Sequence, residues 1–362
     1  MRLIVMAVLV AHGMALGVRA QRAGSYPPPV EGDYRIADFR FESGERLADL
    51  NLHYTTIGEP VRDERGVVSN AVLIMHGTTG QGRGFPSERF AGNLFGPGQL
   101  LDARRFFILL PDAIGHGRSS RPSDGLRMRF PKYTYNDMVR AQHHLLIEHL
   151  EINHLRLVMG TSMGGMHTWV WGYTYPDFMD ALMPLASLPV EIAGRNRMMR
   201  KMIIDSIRED PQWKDGEYTD PPRGLIAAAR ILMFMVSSPL QWQKAAPTRQ
   251  AAETFLANRI ERYASGLDAN DAIYQFDSSR NYNPAPHLEK IKAPLYAINS
   301  ADDQVNPPEL GILEREIKRV RRGRAILIPI SDRTAGHGTH SVPEIWGPYL
   351  AELLATTRAT RR

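Results

Sequence analysis

Residues 160–164 read Gly160-Thr161-Ser162-Met163-Gly164, and this stretch decides the fold. It fits G-x-S-x-G, a turn that presents a serine between a strand and a helix. The five residues before it, Leu155 to Met159, read as a short buried strand. From Gly165 to Tyr175 the pattern reads as a helix. The glycines serve the turn, because the serine backbone is strained and its neighbours must lack side chains for the chain to close. The helix N-terminus then aims backbone N–H groups at whatever the serine attacks.

An orienting acid and a general base follow in the chain order Ser, Asp, His. Pro294 to Asn299 is a second apolar strand running into Ser300-Ala301-Asp302-Asp303, with Pro307 shortly after. Asp303 is the expected acid, on its Asp-x-x-x-Pro spacing to Pro307. Asp302 is the alternate, and one of the two is expected to be a solvated loop acid. After a last strand, Ala325 to Ile330, comes Gly336-His337-Gly338-Thr339-His340. His337, flanked by glycines on a late loop, is the expected base, with His340 the alternate. Val72 to Met75 reads as a strand leading into His76-Gly77-Thr78-Thr79-Gly80. Such a turn supplies one oxyanion N–H, here that of Thr78, and the residue after the nucleophile, Met163, supplies the other. His76 is expected to be structural. Together these features resemble the α/β-hydrolase superfamily, in which the Asp-x-x-x-Pro run is common.

At 362 residues the chain suits one enlarged domain, and 43% apolar residues can fill its core. The formal charge is +5, and the basic residues are mostly scattered arginines. Only Lys318 to Arg324 forms a dense run, read as a solvated surface segment. No aromatic interleaving accompanies it, so nucleic acid is not an expected partner. The absence of cysteine excludes disulfides, thiolate metal sites and a cysteine nucleophile. His143-His144 and His337/His340 lack the carboxylate partners and spacing of a zinc site. No cofactor or metal is implied.

Residues 1–20 read as a secretory signal: Arg2, an apolar run from Leu3 to Val18, and Val18-Arg19-Ala20 before Gln21. The apolar run is short for a membrane span. A secreted or periplasmic protein is expected, with no stable span once the signal is removed. Gly24 to Glu31, with three prolines, reads as an extended linker. Tyr34 to Glu42 and Leu50 to Thr55 read as an opening β pair. Asn70 to Met75, Phe106 to Leu110 and Leu182 to Ala186 complete a mostly parallel sheet with the strands already named. Tyr135 to Glu151 is the clearest helix. Between Ser187 and about His287 there is no strand signal, and Met198, Met199, Met202, Trp213, Met233, Phe234, Met235 and Trp242 are prominent. The domain reading is therefore a core over 21–189 and 287–362, with a helical lid over 190–286 placed above the nucleophile.

Within the superfamily, the chain resembles the homoserine O-acetyltransferase branch. The matching stretches are Asn70 to Leu73, Gly96-Pro97-Gly98 through Phe107, Tyr135 to Gln142, Ser162 to Met166, and Asp210-Pro211 through Tyr218. The resemblance implies Ser162 as nucleophile, Asp303 as acid and His337 as base. Several positions depart from that branch. Its oxyanion turn usually reads H-A-L-T-G, against His76-Gly77-Thr78-Thr79-Gly80 here. Its G-S-T-G-P-S-S run is replaced by Asp112-Ala113-Ile114-Gly115-His116-Gly117-Arg118-Ser119-Ser120, the general hydrolase pattern. Its G-H-D-A-F is replaced by Gly336-His337-Gly338-Thr339-His340. Ile204 stands where its substrate-binding arginine is expected, with Arg200 and Arg208 nearby. An exported protein is also badly placed to use cytoplasmic acetyl-CoA. The expected function is hydrolysis of a small-molecule acyl ester through an acyl-enzyme. The alternatives are acyl transfer to an alcohol and a non-catalytic binding protein. Homodimerisation is left open.

Overall fold

The computed structural model describes residues 26–358. The signal-peptide reading and the start of the linker lie outside those residues. Eight strands form one sheet in the order β1-β2-β4-β3-β5-β6-β7-β8. They are β1 (Val30–Arg40), β2 (Arg46–Ile57), β3 (Ala71–Met75), β4 (Phe107–Pro111), β5 (Leu157–Thr161), β6 (Leu182–Leu185), β7 (Leu295–Ser300) and β8 (Gly323–Ile328). β1 and β2 form a long antiparallel pair, and β2 joins β4 antiparallel. From β4 to β8 every pairing is parallel. β3, β4, β5, β6 and β7 are buried at every position, as parallel strands covered on both faces must be.

The strand before Ser162 runs two residues later than expected. Met75 pairs with Gly160 and Thr161 with Leu185, so pairing from both sides carries β5 up to the turn itself. The helix behind the turn, α2 (Met163–Thr174), correspondingly starts directly after Ser162. The helix expected over Tyr135 to Glu151 is shorter. Its regular part is α1 (Tyr135–His144), capped by Thr134 and Asp137. It then loosens into a π-turn over Leu145–His149, where the Leu150 N–H reaches back to the Leu145 carbonyl.

Between β6 and β7 the described residues contain helices and turns only: α3 (Gly194–Arg208), α4 (Arg223–Met235), α5 (Pro239–Ala245), α6 (Arg249–Ala264) and α7 (Ala269–Asp277). This insertion has its own apolar core, including Met199, Ile203, Ile204, Ile207, Trp213, Leu225 and Ile273. The chain ends on α8 (Pro343–Arg358), packed on the sheet through Trp346, Leu350 and Leu353. Among the described residues no single helix is long and apolar enough to cross a membrane.

Candidate active site

Ser162 sits at φ 54°, ψ −110°, a conformation disfavoured for a residue with a Cβ. Close packing around it explains the glycines. A Cβ on Gly160 would lie 2.2 Å from the Gly164 carbonyl oxygen, and one on Gly164 would lie 2.0 Å from that of Met75. β5 and α2 can meet at this angle only without those side chains.

The Ser162 hydroxyl is 2.7 Å from His337 Nε2, and His337 Nδ1 is 2.8 Å from Asp303 Oδ2. Both His337 and Asp303 are buried. Asp303 is held from every side. Its Oδ1 accepts the N–H of Val305 at 2.8 Å and of Asn306 at 3.3 Å, and its Oδ2 accepts the Asn306 side-chain amide at 3.0 Å. Burial pushes the Asp303 pKa up, but the charge and hydrogen bond of His337, with those other donors, outweigh it and hold the pKa below the usual value. An ionised Asp303 fixes the Nδ1–H tautomer of His337 and leaves Nε2 free to accept the serine proton.

Neither alternate hydrogen-bonds Ser162, although His340 packs against the His337 ring. His340 hydrogen-bonds Ser341, and burial followed by the nearby His337 charge lowers its pKa to about 3. Asp302 corrects the expectation of a solvated loop acid, because it is 7% exposed. It accepts hydrogen bonds from Ser300, from Ser238 at the start of α5, and from the Gly336 N–H at 3.0 Å. One carboxylate thus ties the acid loop to the lid and to the loop carrying His337. Two adjacent acids on one loop thus take different partners on the histidine loop, the Gly336 N–H for Asp302 and the His337 ring for Asp303, which a sequence cannot display.

Gly77 and Thr78 line the pocket beside Ser162. The Gly77 carbonyl is pinned by His76 Nδ1 at 2.8 Å and by the Gly80 N–H at 2.9 Å. In a planar trans peptide the Thr78 N–H points opposite to that carbonyl, so the same two bonds fix its direction. His76 Nε2 accepts the Ala113 N–H at 3.0 Å, which makes Nδ1 the protonated nitrogen. Burial lowers the His76 pKa and keeps the ring neutral. The Met163 N–H belongs to the first turn of α2, whose leading amides lack partners within the helix.

The pocket over Ser162 has a volume of about 840 Å³ and reaches from the His76–Gly80 turn to the lid residues Leu232, Val236, Trp242 and Phe255. Arg89, Arg200 and Arg259 line it, whereas no Asp or Glu among the described residues does. Arg200 is 2% exposed and donates to Asn196 and Ser279, both neutral, while stacking over Phe276. Among the described residues no carboxylate pairs with it. Ile204, one turn further along α3, is buried in the lid core, and Arg208 is exposed. Among the described residues no group of three His, Asp or Glu side chains is placed to hold a metal.

Residues 70–322 match the alpha/beta hydrolase fold family. The chain belongs to that family. Within it, a homoserine O-acetyltransferase of Geotalea daltonii is 37% identical over 340 residues, covering 83% of this chain and 90% of that protein. This places the chain in the homoserine O-acetyltransferase-like branch of the α/β-hydrolases and makes it an enzyme. The solved homoserine O-acetyltransferase of Bacillus anthracis shares the fold with a TM-score of 0.79 at 22% identity, covering 90% of this chain and 97% of that one. Esterase E22 shares it with a TM-score of 0.77 at 19% identity, covering 90% and 100%. The same α/β-hydrolase frame thus carries proteins named for both reactions.

The sequence assigns no role to Asn306 or Ser238, and points to Arg200 only as a neighbour of Ile204. Asn306 orients Asp303 and also bonds the Ala186 carbonyl across the sheet edge. Its only local signal is its place in the Asp-x-x-x-Pro run. Ser238 has none, and which of Ile204, Arg200 and Arg208 faces the pocket depends on how the lid folds back over the core.

Proposed function

We propose that this α/β-hydrolase is a serine-dependent carboxylic-ester hydrolase, with Ser162, His337 and Asp303 as its triad. The observation that carries the reading is the unbroken hydrogen-bonded chain from the Ser162 hydroxyl through His337 to a buried Asp303. His337 Nε2 accepts the hydroxyl proton as Ser162 Oγ bonds to the ester carbonyl carbon. The carbonyl oxygen becomes an oxyanion held by the N–H groups of Thr78 and Met163. Collapse breaks the bond to the alkoxy oxygen, and His337 returns its proton there, releasing the alcohol. Water then repeats the sequence on the acyl-enzyme and yields the free acid. Hydrolysis is preferred because Ile204 is buried in the lid core, where the acyltransferase branch is expected to carry a substrate-binding arginine. The general-hydrolase loop Asp112 to Ser120 supports the same choice. The apolar run in residues 1–20 supports an exported enzyme acting on small-molecule esters.

Acyl transfer to an alcohol is the second reading. It is favoured by Arg200, a buried cation without a carboxylate partner facing the pocket, which suits an acidic acceptor. One experiment separates the two. Purified protein is given short esters alone, then acetyl-CoA with homoserine, while acid and thiol release are followed with mass detection. Free acid from esters and no homoserine-dependent thiol release is the expected result. Homoserine-dependent release of CoA with O-acetylhomoserine as product would overturn it.

A further inference from the structure

Arg89 and Arg259 wall the pocket over Ser162 without a role in the triad or the oxyanion turn. Arg259 stands between Phe255 and Tyr263 on one face of α6, four residues from each, and all three line the pocket. Its guanidinium carbon lies 5.5 Å from the Phe255 ring centre and 5.8 Å from that of Tyr263. Stacking of this kind uses the faces of the planar guanidinium and leaves its in-plane N–H donors available. Arg259 Nε is buried, and no group among the described residues accepts from it. A buried charged donor in that state is unfavourable until an acceptor reaches it. Arg89 joins the same pocket from the segment after the oxyanion turn. It is exposed, and its side chain makes no ion pair or hydrogen bond among the described residues. Besides burial and the His337 charge, the Arg89 charge helps lower the His340 pKa, so its guanidinium lies towards the loop carrying His337. Arg200 differs, because Asn196 and Ser279 already take two of its donors. Unneutralised charges of one sign in a concave wall concentrate ligands of the opposite sign.

We propose that Arg259 and Arg89 form an anion subsite of the catalytic pocket, and that the ester substrate carries a carboxylate beyond the reacting ester group. The proposal rests on the ester-hydrolase reading for the reaction, and on the two arginines for the binding. A carboxylate suits this wall because a guanidinium fork donates to both of its oxygens at once. Phe255, Tyr263 and Trp242 supply an apolar wall for the carbon chain between the two groups.

Two ester series locate the carboxylate. Monoethyl glutarate and monoethyl adipate carry it on the acyl side, and O-acetylglycolate and O-acetyl-lactate carry it on the alcohol side. Each is paired with its neutral terminal amide. In one series kcat/KM for the carboxylate is expected to exceed that for the amide by about tenfold or more, and the ratio to shrink with added sodium chloride. Arg259→Gln is expected to lower that ratio by about tenfold or more. Arg259→Lys keeps part of it, because the charge remains while the fork is lost, and Arg89→Gln lowers it by a smaller factor. Binding is read without turnover by calorimetry on Ser162→Ala protein with glutarate and with glutaramide. Glutarate binding that weakens when Arg259→Gln is added supports the subsite. If it occurs without turnover of any ester, the subsite stands and the hydrolase reading falls. Carboxylate and amide esters hydrolysed alike in both series, or no glutarate binding, overturn the subsite and leave the hydrolase reading intact. A carboxylate preference that survives both Arg259→Gln and Arg89→Gln belongs to Arg200 and also overturns it.

Discussion

Replacing Asp303 by asparagine tests the triad through a tautomer. The position of the new amide follows from the hydrogen bonds. Oδ1 accepts two backbone N–H groups, those of Val305 and Asn306, so the amide oxygen of Asp303→Asn must occupy that site. Its NH₂ then falls at the Oδ2 position, facing His337 Nδ1 and the Asn306 side-chain amide. A donor there turns His337 Nδ1 into an acceptor and moves the ring proton to Nε2. The ring can then no longer accept the Ser162 proton. A forced tautomer of this kind costs ~10³–10⁴ in kcat, or ~4–5.5 kcal/mol. The donor-to-donor contact with Asn306 adds a stability loss of about 1–3 kcal/mol. Asp302→Asn is the control, because Asp302 contacts Ser300, Ser238 and Gly336 but neither His337 nor Ser162. It is expected to lower the melting temperature while keeping kcat within about tenfold of wild type, since no proton-transfer partner is touched. The assay is kcat and KM on a hydrolysed ester, with thermal melts on both variants. An Asp303→Asn enzyme within tenfold of wild type, or a larger kcat loss for Asp302→Asn, would refute the reasoning.

Three further outcomes are expected. Ser162→Ala removes turnover, by about 10³-fold or more, while the melt is unchanged within a few degrees; ester turnover at the wild-type rate would remove Ser162 from the chemistry. Gly77→Ala sets a Cβ 3.3 Å from Ser162 Cβ and is expected to cut kcat by about 10–10² through a displaced nucleophile, whereas Gly164→Ala, with its Cβ 2.0 Å from the Met75 carbonyl oxygen, prevents folding; soluble, fully active Gly164→Ala protein would contradict the packing of the turn. Acid should weaken the fold well above the carboxylate range. Burial holds His167 and His340 near a pKa of about 3, against an ordinary value of 6.5. Both are neutral in the folded state and protonate on unfolding, so their stabilisation is complete above pH 6.5 and declines as pH falls from 6.5 towards 3. At ~1.4 kcal/mol per pH unit each, these two histidines contribute roughly 4 kcal/mol less at pH 5 than at pH 7, and His167→Leu removes about half of that contribution. Urea unfolding at pH 7, 6 and 5 measures it, and equal stabilities at pH 5 and 7 would exclude the effect.

Features set by neighbours in the chain were legible in the sequence. The Gly160–Gly164 turn, the apolar strands β3 to β7, and the chain order of nucleophile, acid and base depend on local pattern and on the steric demands of short segments. Even there, the ends of β5 and α1 moved, because strand ends follow pairing with β3 and β6 and helix ends follow their hydrogen bonds. The choice between Asp302 and Asp303 belongs to the tertiary structure. His337 is 34 residues from Asp303 and 175 from Ser162, so only the assembled sheet brings the three together. The clamp role of Asp302 arises because the lid and the histidine loop both fold back over β7. The arginine-lined pocket has the same origin. Met199 and Ile204 both belong to the lid core, yet Met199 also reaches the pocket over Ser162 and Ile204 does not. The rotation of α3 against α4 and α7 decides which face meets the core, and that rotation is a packing solution made by residues far apart in the chain.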